Sequence, residues 1–256
     1  MNRIILIQGM GMVGSTVHRG LQELGYANFI FYDPFKGLPL PSPATIALAD
    51  VLFYCVNELD GFVKDYSLIK QMNGKLVIIK TTLQVGETDY IQRNVPYAKV
   101  VFMPEFLSED TCLDDFMHPD RLVYGATDPA FSKEANDLFV GIEALRFFVG
   151  PEEAELIKLC SNAYPVTKLA FFNQIYDYCE ANNVDYDRVA EALKASRYNG
   201  GHYMKINDKG GRGGGGKCFP KDLDILLANP RMPKEFLNAV KKINDGLLKR
   251  YPKNVN

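Results

Sequence analysis

Ile4-Ile5-Leu6-Ile7, then Gln8, then Gly9-Met10-Gly11-Met12-Val13-Gly14 is the stretch on which the fold turns. A short apolar strand runs straight into G-x-G-x-x-G, and a helical pattern continues to Leu24-Gly25. That order lifts the glycine motif above a chance match. Gly9 permits a tight turn, Gly11 lets a pyrophosphate approach the backbone, and Gly14 lets helix and strand pack closely. The start of the helix offers amides and a partial positive charge to phosphates. The motif predicts a dinucleotide site built on Gly9, Gly11, Met12, Val13 and Gly14. The next strand, Phe29-Ile30-Phe31-Tyr32, ends in Asp33. An acid about twenty residues past the glycines is placed to bond the adenosine ribose. It repels a 2′-phosphate and so favours NAD over NADP, although Lys36 pulls the other way. Asp33, followed by Pro34, also reads as a plain turn residue.

Further apolar runs follow at Val51-Leu52-Phe53-Tyr54-Cys55-Val56, Leu76-Val77-Ile78-Ile79, Val100-Val101-Phe102 and Leu122-Val123-Tyr124, separated by helical or turn-rich segments. Continuous apolar strands alternating with helices indicate an α/β fold, a doubly wound parallel sheet covered on both faces. Residues 1–150 are the expected nucleotide-binding domain. Ligands of such folds sit beyond the carboxyl ends of the strands. Two strand ends carry polar residues there: Lys80-Thr81-Thr82 with Val85-Gly86, and Pro104-Glu105-Phe106-Leu107-Ser108-Glu109. Thr82 and Glu105 read equally as caps or as site residues.

The rest of the composition narrows the function classes. Of 256 residues, 47% are apolar and 23% charged, enough for a sizeable core. A net charge of −2 leaves no basic footprint for nucleic acid. Five cysteines, an odd number without C-x-x-C spacing, argue against a disulfide framework or a zinc site and for reduced thiols in the cytoplasm. The three histidines show no metal-ligand spacing. Gly9 cuts the first apolar run too short for a signal-peptide core, and no run reaches the length of a membrane span.

Gly150-Pro151 marks the expected start of a mostly helical second domain, residues 151–256. A long helix is predicted from residue 152 to about 181, with Pro151 in its first turn and Pro165 expected to kink it or open a gap in its hydrogen bonds. Glu155, Lys158 and Asn162 fall on one face. Either they form a solvated stripe, or Lys158, flanked by Leu156, Ile157 and Leu159, is drawn toward the first domain. A desolvated lysine suits acid, base or oxyanion work. Further helices are expected over residues 185–195, 221–227 and 233–250. In the last, Phe236, Val240, Ile243 and Leu247 share a face. The tail, residues 251–256, is expected to fray. Between them lies Gly213-Gly214-Gly215-Gly216-Lys217-Cys218-Phe219-Pro220-Lys221-Asp222. Glycines admit dihedrals forbidden elsewhere and let a ligand touch backbone amides. Lys217 and Lys221 would favour a thiolate at Cys218. The alternative is a flexible loop that happens to hold a buried cysteine.

Taken in order, these patches resemble the nucleotide-sugar 6-dehydrogenases, the family of UDP-glucose and GDP-mannose dehydrogenases. Lys80 to Gly86 is similar to K-S-T-V-P-x-G, Pro104 to Glu109 resembles P-E-F-L-x-E, and Glu155 to Asn162 resembles E-x-x-K-x-x-x-N. Gly213 to Asp222 resembles G-F-G-G-x-C-F-P-K-D, the most specific signature. The resemblance implies oxidation of a sugar primary alcohol to a carboxylate with two NAD. Cys218 would be the nucleophile, forming a thiohemiacetal and then a thioester. Lys158 and Asn162 would steady the alkoxide, and Glu105 would manage proton transfer or the hydrolytic water. Thr82 and Asp222 would position that water or the lysine, Thr82 also lying at the cofactor. Glu105, Phe106, Leu107, Lys158, Asn162 and Gly215 would line the substrate. It also implies a homodimer through the central helix.

The chain departs from the pattern in places. Gly214 replaces the family phenylalanine, which implies a more mobile loop. Met103 stands where the family has asparagine, and Pro165 interrupts the central helix. Residues 197–203 match the family's arginine-containing substrate loop only loosely. The sequence stops where family members enter a second Rossmann-like domain that helps bind the nucleotide, so the resemblance implies a chain without that domain. Two other readings stay open: a two-electron β-hydroxyacid dehydrogenase, which needs no Cys218, and a homologue that binds NAD without turnover.

Overall fold

The computed structural model describes residues 2–56, 66–206 and 211–252. The chain divides into two compact units, Met1–Lys158 and Leu159–Asn256. In the first, β1 (Ile4–Gln8), β2 (Asn28–Tyr32), β3 (Val51–Tyr54), β4 (Leu76–Ile79), β5 (Lys99–Phe102), β6 (Arg121–Gly125) and β7 (Leu145–Val149) form one sheet. Its order is β2-β1-β3-β4-β5-β6-β7. The pairs from β2 through β5 are parallel, in register Ile5↔Phe29, Ile5↔Val51, Val51↔Leu76 and Leu76↔Lys99. The reversal of order about β1 is the Rossmann arrangement.

Alternating residues of the same strands feed two cores. Ile5, Ile7, Val51, Phe53, Ile78 and Val101 pack on one face with Val17, Leu21 and Phe139. Leu6, Leu52, Tyr54, Val77, Ile79 and Phe102 pack on the other with Ile46, Leu68 and Ile91. The strands read as continuous apolar runs because both faces are covered. The covering helices are α1 (Met12–Glu23), α2 (Pro43–Leu48), α3 (Glu87–Asn94), α4 (Cys112–Met117) and α5 (Pro129–Asn136). Gly20 lets α1 approach α4 closely, since a Cβ there would lie 2.1 Å from the Phe116 ring.

Two features depart from the expected all-parallel sheet. β6 pairs antiparallel to β5 through Phe102↔Gly125, and β7 then runs parallel to β6. The segment between β5 and β6 begins and ends at the same end of the sheet, so the strand must run back. β7 was not foreseen. Its residues Leu145, Phe147 and Phe148 are exposed at the sheet edge, so Leu-Arg-Phe-Phe-Val shows neither a buried run nor alternation.

Helix α6 (Pro151–Ala181) starts in the first unit and continues through the second. Gly150 N–H donates to Glu153 Oε2 at 2.6 Å, closing its first turn. A Cβ on Gly125 would meet Ala154 Cβ at 2.4 Å, so β6 and the start of α6 are nearly in backbone contact. The helix runs on through Pro165, whose missing N–H leaves the expected gap in the hydrogen-bond ladder. The second unit adds α7 (Tyr186–Lys194), α8 (Phe219–Ala228) and α9 (Glu235–Arg250). The buried face of α9 is Val240, Asn244 and Leu247, while Phe236 is 65% exposed. The apolar spacing therefore identified the helix and its face: Phe236, Val240 and Ile243 line one pocket, with Phe236 at its exposed end. Of the tail expected to fray, residues 253–256 lie outside the described residues. None of the five cysteines is in a disulfide. Among the described residues no helix is long and apolar enough to cross a membrane.

Candidate active site

The glycine motif closes as its spacing requires. Gly9 turns at φ +87, and a Cβ on it would strike Cys55 O at 2.7 Å. A Cβ on Gly14 would lie 1.8 Å from Gly9 O, so only glycine lets α1 start this close to β1. A Cβ on Gly11 would meet nothing within 4 Å, so open space lies beside it. Gly11 is the N-cap of α1, and no side chain caps that end. Asp33 is buried and fixed by Met10 N–H at 2.8 Å and Phe35 N–H at 3.1 Å. It is thus both a turn residue and a carboxylate tied to the glycine turn. Lys36 donates to Met10 O.

At the carboxyl end of β5, the first unit holds a buried ion pair. Lys158 Nζ donates to Glu105 O at 2.8 Å and to Glu105 Oε1 at 3.1 Å. Lys158 is only 4% exposed, which excludes the solvated stripe. Glu105 Oε2 accepts from Leu107 N–H at 2.8 Å. Burial pushes the Glu105 pKa up, but the Lys158 charge, the Leu107 amide and the charge of Lys80 together hold it below the ordinary value. Phe106 lies beneath the Arg121 guanidinium, 4.1 Å from its ring centre. Thr82 follows β4, half-buried.

Glu155 does not pair with Lys158, as a surface stripe would have it. It is fully buried and accepts from Gly86 N–H at 2.5 Å, Thr88 N–H at 2.7 Å and Thr88 Oγ1 at 2.6 Å. Gly86, at φ +92, is the N-cap of α3 and brings no side chain of its own. Glu155 supplies the missing cap from α6.

In the second unit, Cys218 is exposed at the N-cap of α8. Asp222 N–H closes the first turn on Cys218 O at 2.9 Å. The Asp222 side chain is fully buried, and its Oδ2 accepts from Asn162 Nδ2 at 2.5 Å. Lys221 Nζ lies 3.8 Å from Asp222 Oδ1. Gly213 and Gly216 take φ +88 and +81, turns that only glycine makes without strain. Gly215 is half-buried between them.

Two residues that hold this loop escaped the sequence reading. Asn244 accepts from Gly214 N–H at 2.7 Å and donates to Gly214 O at 3.1 Å. Gly214 is therefore buried and held on both backbone groups, and residues 216–218 are the exposed part of the loop. Buried Arg212 donates to Asn173 Oδ1 at 2.6 Å and pairs with Asp177 at 2.6 Å, between the rings of Tyr176 and Tyr251. One available signal was an amide, Asn244, set inside the apolar stripe Val240–Leu247.

Known proteins resemble this chain at both levels. The model for the UDP-glucose/GDP-mannose dehydrogenase family, NAD binding domain, matches residues 64–143. The model for the central domain of the same family matches residues 152–246. A UDP-glucose 6-dehydrogenase of Campylobacter jejuni is 32% identical over 199 residues, 75% of this chain and 49% of that protein. UDP-glucose 6-dehydrogenase TuaD of Bacillus subtilis is 32% identical over 224 residues, 79% of this chain and 48% of that protein. The chain thus spans about half the length of the curated relatives it matches. Among solved structures, a UDP-glucose dehydrogenase from Pyrobaculum islandicum superposes with TM-score 0.82 at 25% identity, over 95% of this chain and 68% of that one. A UDP-D-ManNAc dehydrogenase from Pyrococcus horikoshii shares the fold, with TM-score 0.80 at 18% identity over 97% and 69%. The two domain models follow each other in chain order and meet the glycine-cysteine loop and the Lys158 helix already described: the chain belongs to the UDP-glucose/GDP-mannose dehydrogenase family.

Proposed function

We propose that this chain carries the oxidative half of an NAD-dependent nucleotide-sugar dehydrogenase, turning a sugar primary alcohol into a carboxylate in two oxidations. The observation that carries the reading is Cys218, exposed at the end of a pinned glycine loop and one helical turn before the buried Asp222–Asn162 pair. A two-electron hydroxyacid dehydrogenase has no use for that thiol.

The first unit fits the cofactor. Open space beside Gly11 and the uncapped start of α1 suit a pyrophosphate, with Met12 and Val13 opening the helix. Asp33 retains lone pairs for the ribose hydroxyls. These residues would hold NAD, which would supply the hydride acceptor for each oxidation. Lys158 donates a hydrogen bond to the alkoxide as the alcohol loses its proton, and Asn162 is a second donor to the oxyanion. The Cys218 thiolate attacks the first aldehyde, forming a carbon–sulfur bond, and the oxygen takes up a proton to give a thiohemiacetal. Loss of the carbon-bound hydrogen as hydride, and of the hydroxyl proton to solvent, leaves a thioester. Glu105 directs a water at the thioester carbonyl; the carbon–sulfur bond breaks and the thiol is regenerated. Thr82 and Asp222 position the water and the donors, while Phe106, Leu107 and Gly215 line the sugar.

We further propose that two copies pair through α6. Its exposed aromatics Tyr164, Phe171 and Tyr178 recur every seven residues and so fall on one stripe. A single-chain mass by light scattering at micromolar concentration would overturn that pairing.

The enzymatic reading is tested by alkylating the free thiols while following NADH formation from a panel of nucleotide sugars. Loss of activity should track labelling of Cys218 by peptide mass spectrometry, and Cys218→Ala should be inactive from the start. Activity that survives full labelling of Cys218, or that appears only with a β-hydroxyacid, rules this reading out.

A further inference from the structure

Strand β1 ends on a buried amide. Gln8 is 6% exposed, and among the described residues its carboxamide Oε1, itself buried, has no hydrogen-bond partner. Buried polar groups are nearly always paired, and an orphaned carbonyl costs stability. Alternation along β1 puts Gln8 on the face of Leu6, opposite Ile5 and Ile7. Its register neighbours are Tyr32 on β2 and Tyr54 on β3. Tyr54 lies in the core of that face, and Tyr32 and Val56 pack against it. A mostly apolar wall carrying one unsatisfied amide is the composition of a ligand contact. The cofactor has a route to it. Helix α1, whose start suits the pyrophosphate, packs on the other face of the sheet through Val17 and Leu21. Asp33, which suits the ribose, directly follows Tyr32. A ribose carries its phosphate and its base at opposite ends of the ring. With the phosphates at the start of α1 and the ribose at Asp33, the base continues away from α1, toward the face of Gln8.

We propose that Gln8 recognises the adenine base of the dinucleotide, its Oε1 accepting from the 6-amino group. A carboxamide can meet an adenine edge with both ends, the oxygen taking the amino proton and the nitrogen donating to a ring nitrogen. The orphan of the free protein is then the acceptor that the ligand completes. This deepens the cofactor assignment made above and rests on it, but on neither the sugar nor the Cys218 chemistry. The two roles of Gln8 have opposite signs: its carbonyl weakens the free protein and strengthens the complex. A glutamine satisfied inside the protein would do the reverse in the first respect and nothing in the second.

The test pairs the melting of the free protein with dinucleotide affinity. Gln8→Leu replaces the unsatisfied amide by an apolar group, so the free variant should melt higher than wild type in scanning calorimetry. It should bind NAD about tenfold more weakly by titration calorimetry, the loss of one hydrogen bond. The second probe is the etheno-adenine analogue of NAD, whose 6-amino nitrogen is closed into a ring and has no proton to donate. Wild type should prefer NAD to this analogue by about tenfold, and Gln8→Leu should bind the two alike. Unchanged NAD affinity in Gln8→Leu, a free variant that melts lower than wild type, or a preference for NAD that survives the substitution overturns the proposal. If Gln8→Leu does not fold, the wild type decides: equal affinity for NAD and the analogue overturns it. A wild type that binds neither dinucleotide refutes the cofactor assignment and this proposal together. One that binds NAD with the expected preference yet oxidises no nucleotide sugar refutes the enzymatic reading and leaves this result standing.

Discussion

Asn244 offers the sharpest test of how the cysteine loop is held. Its side chain satisfies both backbone groups of Gly214, at 2.7 and 3.1 Å, and is 1% exposed. Asn244→Ala leaves a buried N–H and a buried C=O without partners, each at a cost of about 1–3 kcal/mol. Water entering the vacated space recovers part of this, so the expected loss is about 3 kcal/mol. That is a large share of a stability of roughly 5–15 kcal/mol. Asn244→Asp separates the two bonds. The new carboxylate still accepts from Gly214 N–H, but its other oxygen faces Gly214 O, acceptor against acceptor, in a buried site. Both effects raise its pKa in the folded state. A raised acid is most stabilising below its unfolded pKa, about 3.9, and that stability is lost as pH rises through the folded value. Asn244→Asp should therefore approach the wild type in acid, where its proton bonds Gly214 O, and fall behind at neutral pH. The assay is urea unfolding followed by far-ultraviolet circular dichroism, since the chain has no tryptophan. An alanine variant within about 1 kcal/mol of wild type, or an aspartate variant whose deficit ignores pH, would refute the reasoning.

Other substitutions probe the first unit. Glu155→Ala strands three donors at Gly86 and Thr88 and should cost about 3 kcal/mol in urea unfolding. Burial raises the Glu155 pKa despite those donors, so its contribution is fullest below pH 4.5 and declines as pH rises through the folded value; the variant's deficit should be larger in acid than at neutrality. Gly14→Ala drives a Cβ into Gly9 O and should prevent folding, by loss of the cooperative thermal transition. Gly11→Ala meets nothing in the protein and should keep its thermal midpoint while weakening NAD by about tenfold in calorimetry; equal thermal loss in the two variants would contradict the assignment of space at Gly11.

The legible features were local ones. Gly9 and Gly14 are constrained by contacts within a few residues or by the adjoining strand, so spacing sufficed. The central strands announced themselves because burial on both faces leaves no polar position. β7 did not, because an exposed edge imposes no pattern on Leu145, Phe147 and Phe148. The reversal of β6 depends on where the preceding connection ends, which no single residue encodes. Glu155 and Asn244 bond backbone 69 and 30 residues away, and a backbone partner leaves no mark in a side-chain pattern. Glu105 and Lys158, 53 residues apart, became a candidate pair only through two family motifs; their contact needed coordinates. Phe236 shows the converse: helical spacing put it on the face of Val240 and Leu247, whereas the packing of the unit decides how far along the helix that face is buried.

The most direct measurement counts NADH formed per molecule of nucleotide sugar consumed at completion. If Cys218 traps the aldehyde for a second oxidation, the ratio is two, with a uronate as product and no free aldehyde. A ratio of one, with an aldehyde released or a ratio unaffected by Cys218→Ala, would contradict a thiol-dependent double oxidation.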